Sequence, residues 1–316
     1  MQTHLSQTID ITTSEDNYSA KYDASIKEML ADKQVLARIL KYTLDEFKDF
    51  SLEKIIQCID EPIVSEMRIE PGHTNTDKIK KTSEEDSVLG EGKIYYDIRF
   101  NAYSGDEQIK ILINVEAQKS TKSSKLGYHL DNRIIYYLAR MISAQKEVEF
   151  EHSEYDNLKA VKSIWICLDT ADDEDSINRI NLTQETLFGN DIYLPNLKKI
   201  QGVIIRLREN DNVETSKNAL IAMLEELLKK DSVEAKKKKL SEQYGMIMNT
   251  DTERRVNTMC NLSEALIERT NESTIEFLVK DYLEDGKSRE QIIQKIMKGF
   301  NLDEETAASY FDKYKS

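Results

Sequence analysis

The sequence predicts an α/β domain, in which helices flank a mixed β-sheet, followed by an all-helical C-terminal region. Two observations carry this prediction. Up to about residue 210, short runs of β-branched and aromatic residues alternate with stretches of helical periodicity. From about residue 215 onward, only helical periodicity remains. We therefore expect a flexible tail at 1–20, an α/β domain at 21–212 and a helical region at 213–316.

Composition and charge limit the class of protein. The chain has 316 residues, of which 39% are hydrophobic and 32% charged, so we expect a globular and highly charged protein. It contains no run of about 18 apolar residues, and its polar first 20 residues lack the pattern of a secretory signal. Three cysteines without CxxC spacing indicate buried thiols in a reducing cytoplasm. The net charge of −14 argues against polyanion binding by the whole surface, but it leaves room for a local basic groove.

Residues 93–119 are predicted to form a β-hairpin that carries the candidate site. Asp97 falls in the first strand, and Glu116 and Gln118 fall near the end of the second. Side chains two positions apart in a strand point to one face, so Glu116 and Gln118 should project together. Residues 104–106, Ser-Gly-Asp, supply turn chemistry between the strands. A carboxylate that faces a carboxylate and an amide suits a hard divalent cation.

Other elements are predicted from periodicity and capping residues. They are two helices that meet near 31–33, a short helix capped by Ser51, a loop at 71–90, a helix at 128–146, buried strands at 161–168 and 200–207, and C-terminal helices, of which one begins with the capping box Ser288 to Gln291 and another is capped by Asp303.

A strand with Asp, a turn, a strand with Glu-x-Gln and a helix occur here in the order of a known nuclease core. The chain resembles the PD-(D/E)XK nucleases, in particular transposase-like members related to the recombination-promoting nucleases of bacteria. The segments that carry the resemblance are YDASIKEML (22–30), YYDIRF (95–100), INVEAQK (113–119), YHLDNRIIYYLARMISAQ (128–145), SIWICL (163–168) and TMCNLSEAL (258–266). The resemblance implies a restriction-endonuclease-like mixed sheet and a bacterial, cytoplasmic DNA endonuclease associated with transposition or recombination.

The resemblance also implies the roles of individual residues. Asp97, Glu116 and the backbone carbonyl of Ala117 would bind Mg²⁺, with Mn²⁺ as a substitute, and such an ion polarises a phosphodiester and activates water. Gln118 stands where many relatives have Lys, and it would position the attacking water. The residues implied to bind DNA or to support the site are Arg133, Tyr137, Asp23 and Lys27.

Alternative interpretations of these residues stay open at the level of sequence. Asp97 is also compatible with a structural role, and Glu116 and Gln118 with the solvated face of a hairpin. Arg133 suits a surface salt bridge as well as a phosphate contact. Asp23 suits an N-cap of the first helix.

Two further hypotheses concern the whole chain. Gln118 is neutral and cannot offer a positive charge to a transition state, so the alternative to an enzyme is a catalytically impaired nuclease-fold module that binds DNA or protein. The helical C-terminal region is a candidate for homo-oligomerisation. DNA is the expected partner, and no membrane is expected.

Overall fold

A computed structural model describes residues 14–64, 85–88, 92–95, 97–104, 109–118, 121–168, 174–208, 215–228 and 231–315. Its contacts divide the described chain into two compact units. One unit comprises 24–257, and the other comprises 14–23 together with 258–315. The domain boundary that the sequence suggested near 212 lies inside the first of these units.

The N-terminal part of the chain is helical. Its helices are α1 (Ser14–Leu30), α2 (Lys33–Thr43) and α3 (Leu52–Cys58). Asp32 caps α2 and Ser51 caps α3, so the predicted helix junction near 31–33 and the predicted cap are confirmed. The prediction of a tail is wrong for 14–20, which belong to α1, while 1–13 lie outside the described residues. The N-cap interpretation of Asp23 is also wrong, because Asp23 lies in the interior of α1.

A six-stranded mixed sheet forms the centre of the unit 24–257. In chain order, the strands of the structure are β1 (Ile63–Val64), β2 (Glu85–Val88), β3 (Gly92–Tyr95), β4 (Ile98–Ser104), β5 (Ile109–Gln118), β6 (Ala160–Cys167), β7 (Ser176–Asn181) and β8 (Ile200–Arg206). The order in the large sheet is β1-β4-β5-β6-β8-β7, and β2 pairs only with β3. The pairs β5–β6 and β6–β8 are parallel, whereas β1–β4, β4–β5 and β7–β8 are antiparallel. The predicted mixed sheet and its two buried strands are thereby confirmed.

The segment that contains Asp97 differs from the prediction. The expected single strand at 95–100 is divided between β3, which pairs with β2 in a separate ribbon, and β4, which begins at Ile98. Asp97 occupies a bend immediately before β4. The loop predicted at 71–90 is wrong at Glu85–Val88, which forms β2, and its other residues lie outside the described part of the chain.

One face of the sheet is covered by α5 (Leu130–Ser143), which follows the short helix α4 (Ser123–Leu126). The apolar residues of α5 recur every three to four positions, as predicted, and pack on β5 and β6. The buried cluster that results contains Leu112, Leu130, Ile134, Tyr137, Leu138, Met141, Val161, Trp165 and Cys167. Gly202 lets α5 approach β8 closely, because a Cβ atom there would lie 3.0 Å from Ile134 Cγ2.

Helices account for the described chain beyond residue 215. They are α6 (Ala219–Leu228), α7 (Val233–Glu242), α8 (Thr250–Glu284), α9 (Arg289–Phe300) and α10 (Glu304–Tyr314). The predicted capping box of α9 and the predicted cap of α10 are both confirmed. In the second unit, α8, α9 and α10 share an apolar cluster that includes Val279, Ile292 and Phe311. None of the described helices combines the length and the apolar character needed to cross a membrane.

Candidate active site

The structure brings Asp97 and Glu116 together where β4 begins and β5 ends. The antiparallel register pairs Ile98 with Val115, so the preceding Asp97 reaches the level of Glu116. The backbone N–H of Asp97 donates to Glu116 Oε1 at 3.1 Å. The backbone N–H of Ala117 donates to Asp97 Oδ2 at 3.0 Å. Glu116 thus accepts from the backbone of Asp97, and Asp97 accepts from the backbone of the residue that follows Glu116. These two hydrogen bonds hold the carboxylates side by side.

Glu116 is a buried acid on the face of β5 that α5 covers. Only 2% of the residue is exposed, and Asn114 Nδ2 donates to its Oε1 at 3.1 Å. Burial and the nearby charge of Asp97 raise the pKa of Glu116 to about 8, against the opposing hydrogen bonds from Asp97 and Asn114 and the charge of Arg133. The interpretation of Glu116 as part of a solvated face is wrong, because α5 excludes water from it.

Asp97 is partly exposed and already has a cationic partner. Its side chain is 18% exposed, and Lys27 Nζ lies 2.6 Å from its Oδ1. Lys27 comes from the last turn of α1, so the structure places this predicted supporting residue at the site. Asp23 belongs to the other unit, where burial raises the pKa of the neighbouring Tyr22 and the charges of Cys260 and then Asp23 add smaller contributions, against a hydrogen bond with Ser263.

Arg133 links Gln118 to three aromatic residues, which are Tyr128 just before α5, Tyr137 in α5 and Trp165 in β6. Its Nη1 donates to Gln118 Oε1 at 3.2 Å and to the Tyr128 hydroxyl at 2.6 Å, and its Nη2 donates to the Tyr137 hydroxyl at 2.8 Å. The guanidinium carbon lies 5.7, 5.0 and 5.3 Å from the ring centroids of Tyr128, Tyr137 and Trp165. This arrangement replaces the surface salt bridge that was the alternative for Arg133.

The charge of Arg133 is secured by its neighbours. Burial lowers the pKa of Arg133, but hydrogen bonds from it to Tyr137 and Tyr128 and the charge of Glu116 raise that pKa above its ordinary value. Its Nη2 is 4.0 Å from Glu116 Oε2. The guanidinium is therefore positive at neutral pH beside the carboxylate pair.

The oxygen atoms at this site fit a magnesium ion. Within the part of the chain that the structure describes, the closest cationic partner of Glu116 Oε2 is Arg133 at 4.0 Å, which leaves this oxygen available. The N–H and C=O of one strand residue point to the same side, so the Ala117 carbonyl faces the Asp97 side as its N–H does. The described residues contain no group of three or more His, Cys, Asp or Glu side chains suited to a metal. A cation here would therefore rely on two carboxylates, one carbonyl and water, a set that Mg²⁺ accepts.

Three neighbours of the site were not predicted from the sequence. Asn114 lies two positions before Glu116 on the same face, and that spacing is a signal that could have identified it. Tyr128 and Trp165 contact Arg133 through packing between distant segments. The sequence offers no local pattern for such contacts.

Comparisons of the chain with protein-family models, curated proteins and solved structures find no match. The site itself contains the carboxylate pair Asp97 and Glu116, the amide of Gln118 and the cations Lys27 and Arg133.

Proposed function

We propose that the chain is a magnesium-dependent DNA endonuclease of the PD-(D/E)XK type. The observation that carries the proposal is the pairing of Asp97 with the buried Glu116 on neighbouring strands. Two acidic groups this close in a water-poor site disfavour joint ionisation, and a divalent cation removes that penalty. Lys27 adds positive charge where a phosphate would bind, and Arg133 adds positive charge beside the carboxylate pair. An association with transposition or recombination is part of the same proposal.

In the proposed reaction, each residue of the site would have a separate role. Asp97, Glu116 and the Ala117 carbonyl would hold Mg²⁺, which supplies Lewis-acid polarisation of the phosphodiester and a more acidic water. Asn114 keeps Glu116 Oε1 occupied, so that Oε2 is the oxygen left for a ligand. Gln118 orients the attacking water at the mouth of the site.

Lys27 has a role that changes with the charge of the site. In the metal-free chain its ammonium neutralises Asp97 at 2.6 Å. With a divalent cation held by Asp97, Lys27 would be repelled from that carboxylate. Its ammonium would then be available to stabilise the negative charge of the DNA backbone.

A second candidate function is a module with this fold that binds DNA without cleaving it. It is favoured by Gln118, which is neutral and already accepts a hydrogen bond from Arg133. Magnesium binding separates the two functions. Calorimetry that detects no uptake of Mg²⁺ by a chain that still binds duplex DNA would favour the module.

A plasmid-nicking assay tests the nuclease. We expect the wild-type chain to nick duplex DNA with Mg²⁺ or Mn²⁺, and a chelator to abolish nicking. Asp97→Asn and Glu116→Gln should each reduce the rate by about 10²-fold or more, because each removes a charged ligand while it preserves side-chain volume. Glu276→Gln is the matched control and should retain activity, because Glu276 is a partly exposed carboxylate on α8 that pairs with Lys280. Cleavage that survives both the chelator and the double substitution Asp97→Ala, Glu116→Ala would overturn the assignment.

A further inference from the structure

The orientation of the Gln118 amide follows from the chemistry of its partner. A guanidinium group carries hydrogen-bond donors only, so the atom that faces it within 3.2 Å must be the amide oxygen. The NH₂ group of Gln118 then points away from Arg133. The hydrogen bond with Arg133 thus fixes which end of the amide faces the guanidinium.

Arg133 itself is held from several directions. The hydroxyls of Tyr128 and Tyr137 accept from its two terminal nitrogens, and the ring of Trp165, which is fully buried, lies 5.3 Å from its guanidinium carbon. Two hydrogen bonds and aromatic contacts leave the guanidinium little freedom to follow a phosphate. Its rigidity suits it to hold another side chain in place.

We propose that Arg133 is a positioning residue that fixes the Gln118 amide with its N–H groups toward the reacting phosphate or water. This inference rests on the proposed function and deepens it. In this arrangement Gln118 acts as a hydrogen-bond donor to the reacting groups, and Arg133 affects the reaction only by orienting Gln118. The pair thus supplies the donor function for which the related nucleases use a lysine.

The pairing also accounts for a neutral residue at position 118. Lys27 and Arg133 already place two positive charges at this site. A lysine at 118 would place a third positive charge beside the guanidinium in a partly buried site, where like charges repel strongly. Gln118 and Arg133 therefore form one functional unit, and a lysine at 118 requires the loss of Arg133.

Substitutions at the two positions test this unit by their kinetics. We expect Arg133→Met to lower kcat about 10- to 100-fold, the usual effect of losing a residue that orients a functional group. The KM for DNA and the dependence of DNA affinity on salt should stay nearly unchanged, because Arg133 makes no phosphate contact in this proposal. Gln118→Glu should lower kcat similarly, since a carboxylate has no N–H to donate. Arg179→Met is the control and should be as active as the wild type. Arg179 lies on the edge strand β7 and pairs with Asp45.

The lysine variants provide a reciprocal test. Gln118→Lys should be impaired alone, and Gln118→Lys combined with Arg133→Met should be more active than either single variant. A fall in the salt dependence of DNA binding by about one phosphate contact in Arg133→Met would show that Arg133 binds DNA directly, and would overturn the proposal. A double variant no better than the singles would overturn it as well.

A measurement on the amide itself separates this inference from the proposed function. In ¹⁵N-labelled protein, the Gln118 side-chain resonance, assigned through its loss in Gln118→Glu, should be rigid in the wild type and mobile in Arg133→Met. Tyr128→Phe with Tyr137→Phe, which keeps the rings and removes both acceptors, should loosen it too and serves if Arg133→Met does not fold. Equal mobility in wild type and variants would reject the positioning role, whereas a rigid Gln118 in a wild-type chain that cleaves no DNA would reject the nuclease alone.

Discussion

Among the acids that the structure describes, Glu116 lies in an environment far from that of an ordinary carboxylate in water. It is nearly without solvent contact, shares its site with Asp97 and accepts hydrogen bonds from Asp97 N–H and Asn114. Burial is the largest cause of its raised pKa, and the negative charge of Asp97 is the second. A carboxyl group in this state stores an unfavourable energy that a bound cation or a proton releases.

This environment predicts that Glu116 makes the metal-free protein less stable as pH rises. Its pKa is 4.5 when unfolded and about 8 when folded, so between these values the native state binds more protons than the unfolded state. The free energy of unfolding should therefore fall with pH in this window, by at most about 1.4 kcal/mol per pH unit from this group. Well below pH 4.5 the carboxyl is protonated in both states, so it adds no pH dependence to the free energy of unfolding.

Urea denaturation in EDTA at several pH values between 5 and 8 checks this prediction. Glu116→Gln should flatten the decline relative to the wild type, whereas Glu276→Gln should follow the wild type. Saturating Mg²⁺ should raise wild-type stability at pH 8 and leave Glu116→Gln nearly unaffected. Parallel pH profiles for the wild type and Glu116→Gln would contradict the raised pKa.

At the scale of elements, the N-cap of α2 has more partners than a cap usually has. Asp32 is buried, accepts from Gln34 N–H at 2.9 Å and receives the Thr252 hydroxyl at 2.8 Å, and Arg255 lies 3.4 Å away. Thr252 and Arg255 belong to the first turns of α8. The cap of α2 therefore also connects α2 to the start of α8 within the unit 24–257.

We expect Asp32→Ala to destabilise the protein by about 3 kcal/mol, because it removes the cap and leaves buried partners without an acceptor. Ser51→Ala, which removes only the exposed cap of α3, is the matched comparison and should cost about 1 kcal/mol. Chemical denaturation of both variants measures the difference. Equal losses would show that the links to Thr252 and Arg255 contribute nothing.

At the scale of the whole molecule, α6, α7 and the start of α8 help to build the unit that contains the candidate site. Arg208 donates two side-chain hydrogen bonds to Glu225, from Nε to Oε1 at 3.1 Å and from Nη2 to Oε2 at 3.0 Å. Arg38 donates to the carbonyls of Tyr244 and Gly245 at 2.8 and 3.1 Å. The sheet, α6, α7 and the start of α8 thus belong to one compact unit, although the composition of the chain changes near 212.

Two fragments test this organisation. A fragment of residues 24–257 should melt cooperatively, whereas one of residues 24–212 should expose the surfaces that α6 and α7 cover and should aggregate or remain unfolded. Circular dichroism melts and size-exclusion chromatography distinguish the two. A cooperative transition in the shorter fragment would contradict the assignment of α6 and α7 to this unit. The homo-oligomerisation proposed for the C-terminal helices stays a prediction, and the same chromatography on the full chain tests it.

Local patterns were sufficient for much of the fold. The alternation in β5 placed Glu116 and Gln118 on one face, the three-to-four spacing predicted α5, and short polar residues predicted the caps at Ser51, Ser288 and Asp303. These predictions held because side-chain direction and backbone capping depend on a few neighbouring residues. The division at 95–100 was missed, because pairing of β3 with β2 rather than with β5 depends on a partner elsewhere in the chain.

The sequence by itself determined that the chain contains a mixed sheet with helices and that two acids and an amide lie near adjoining strand ends. Only the tertiary structure decided which of those side chains is buried, which cation each one meets and how Gln118 is oriented. Glu116 is buried because α5 covers β5, Asp97 meets Lys27 because α1 ends beside it, and Arg133 faces inward because three aromatic rings surround it. These contacts join residues distant in sequence, and their energies depend on packing and exclusion of water, which no local pattern encodes.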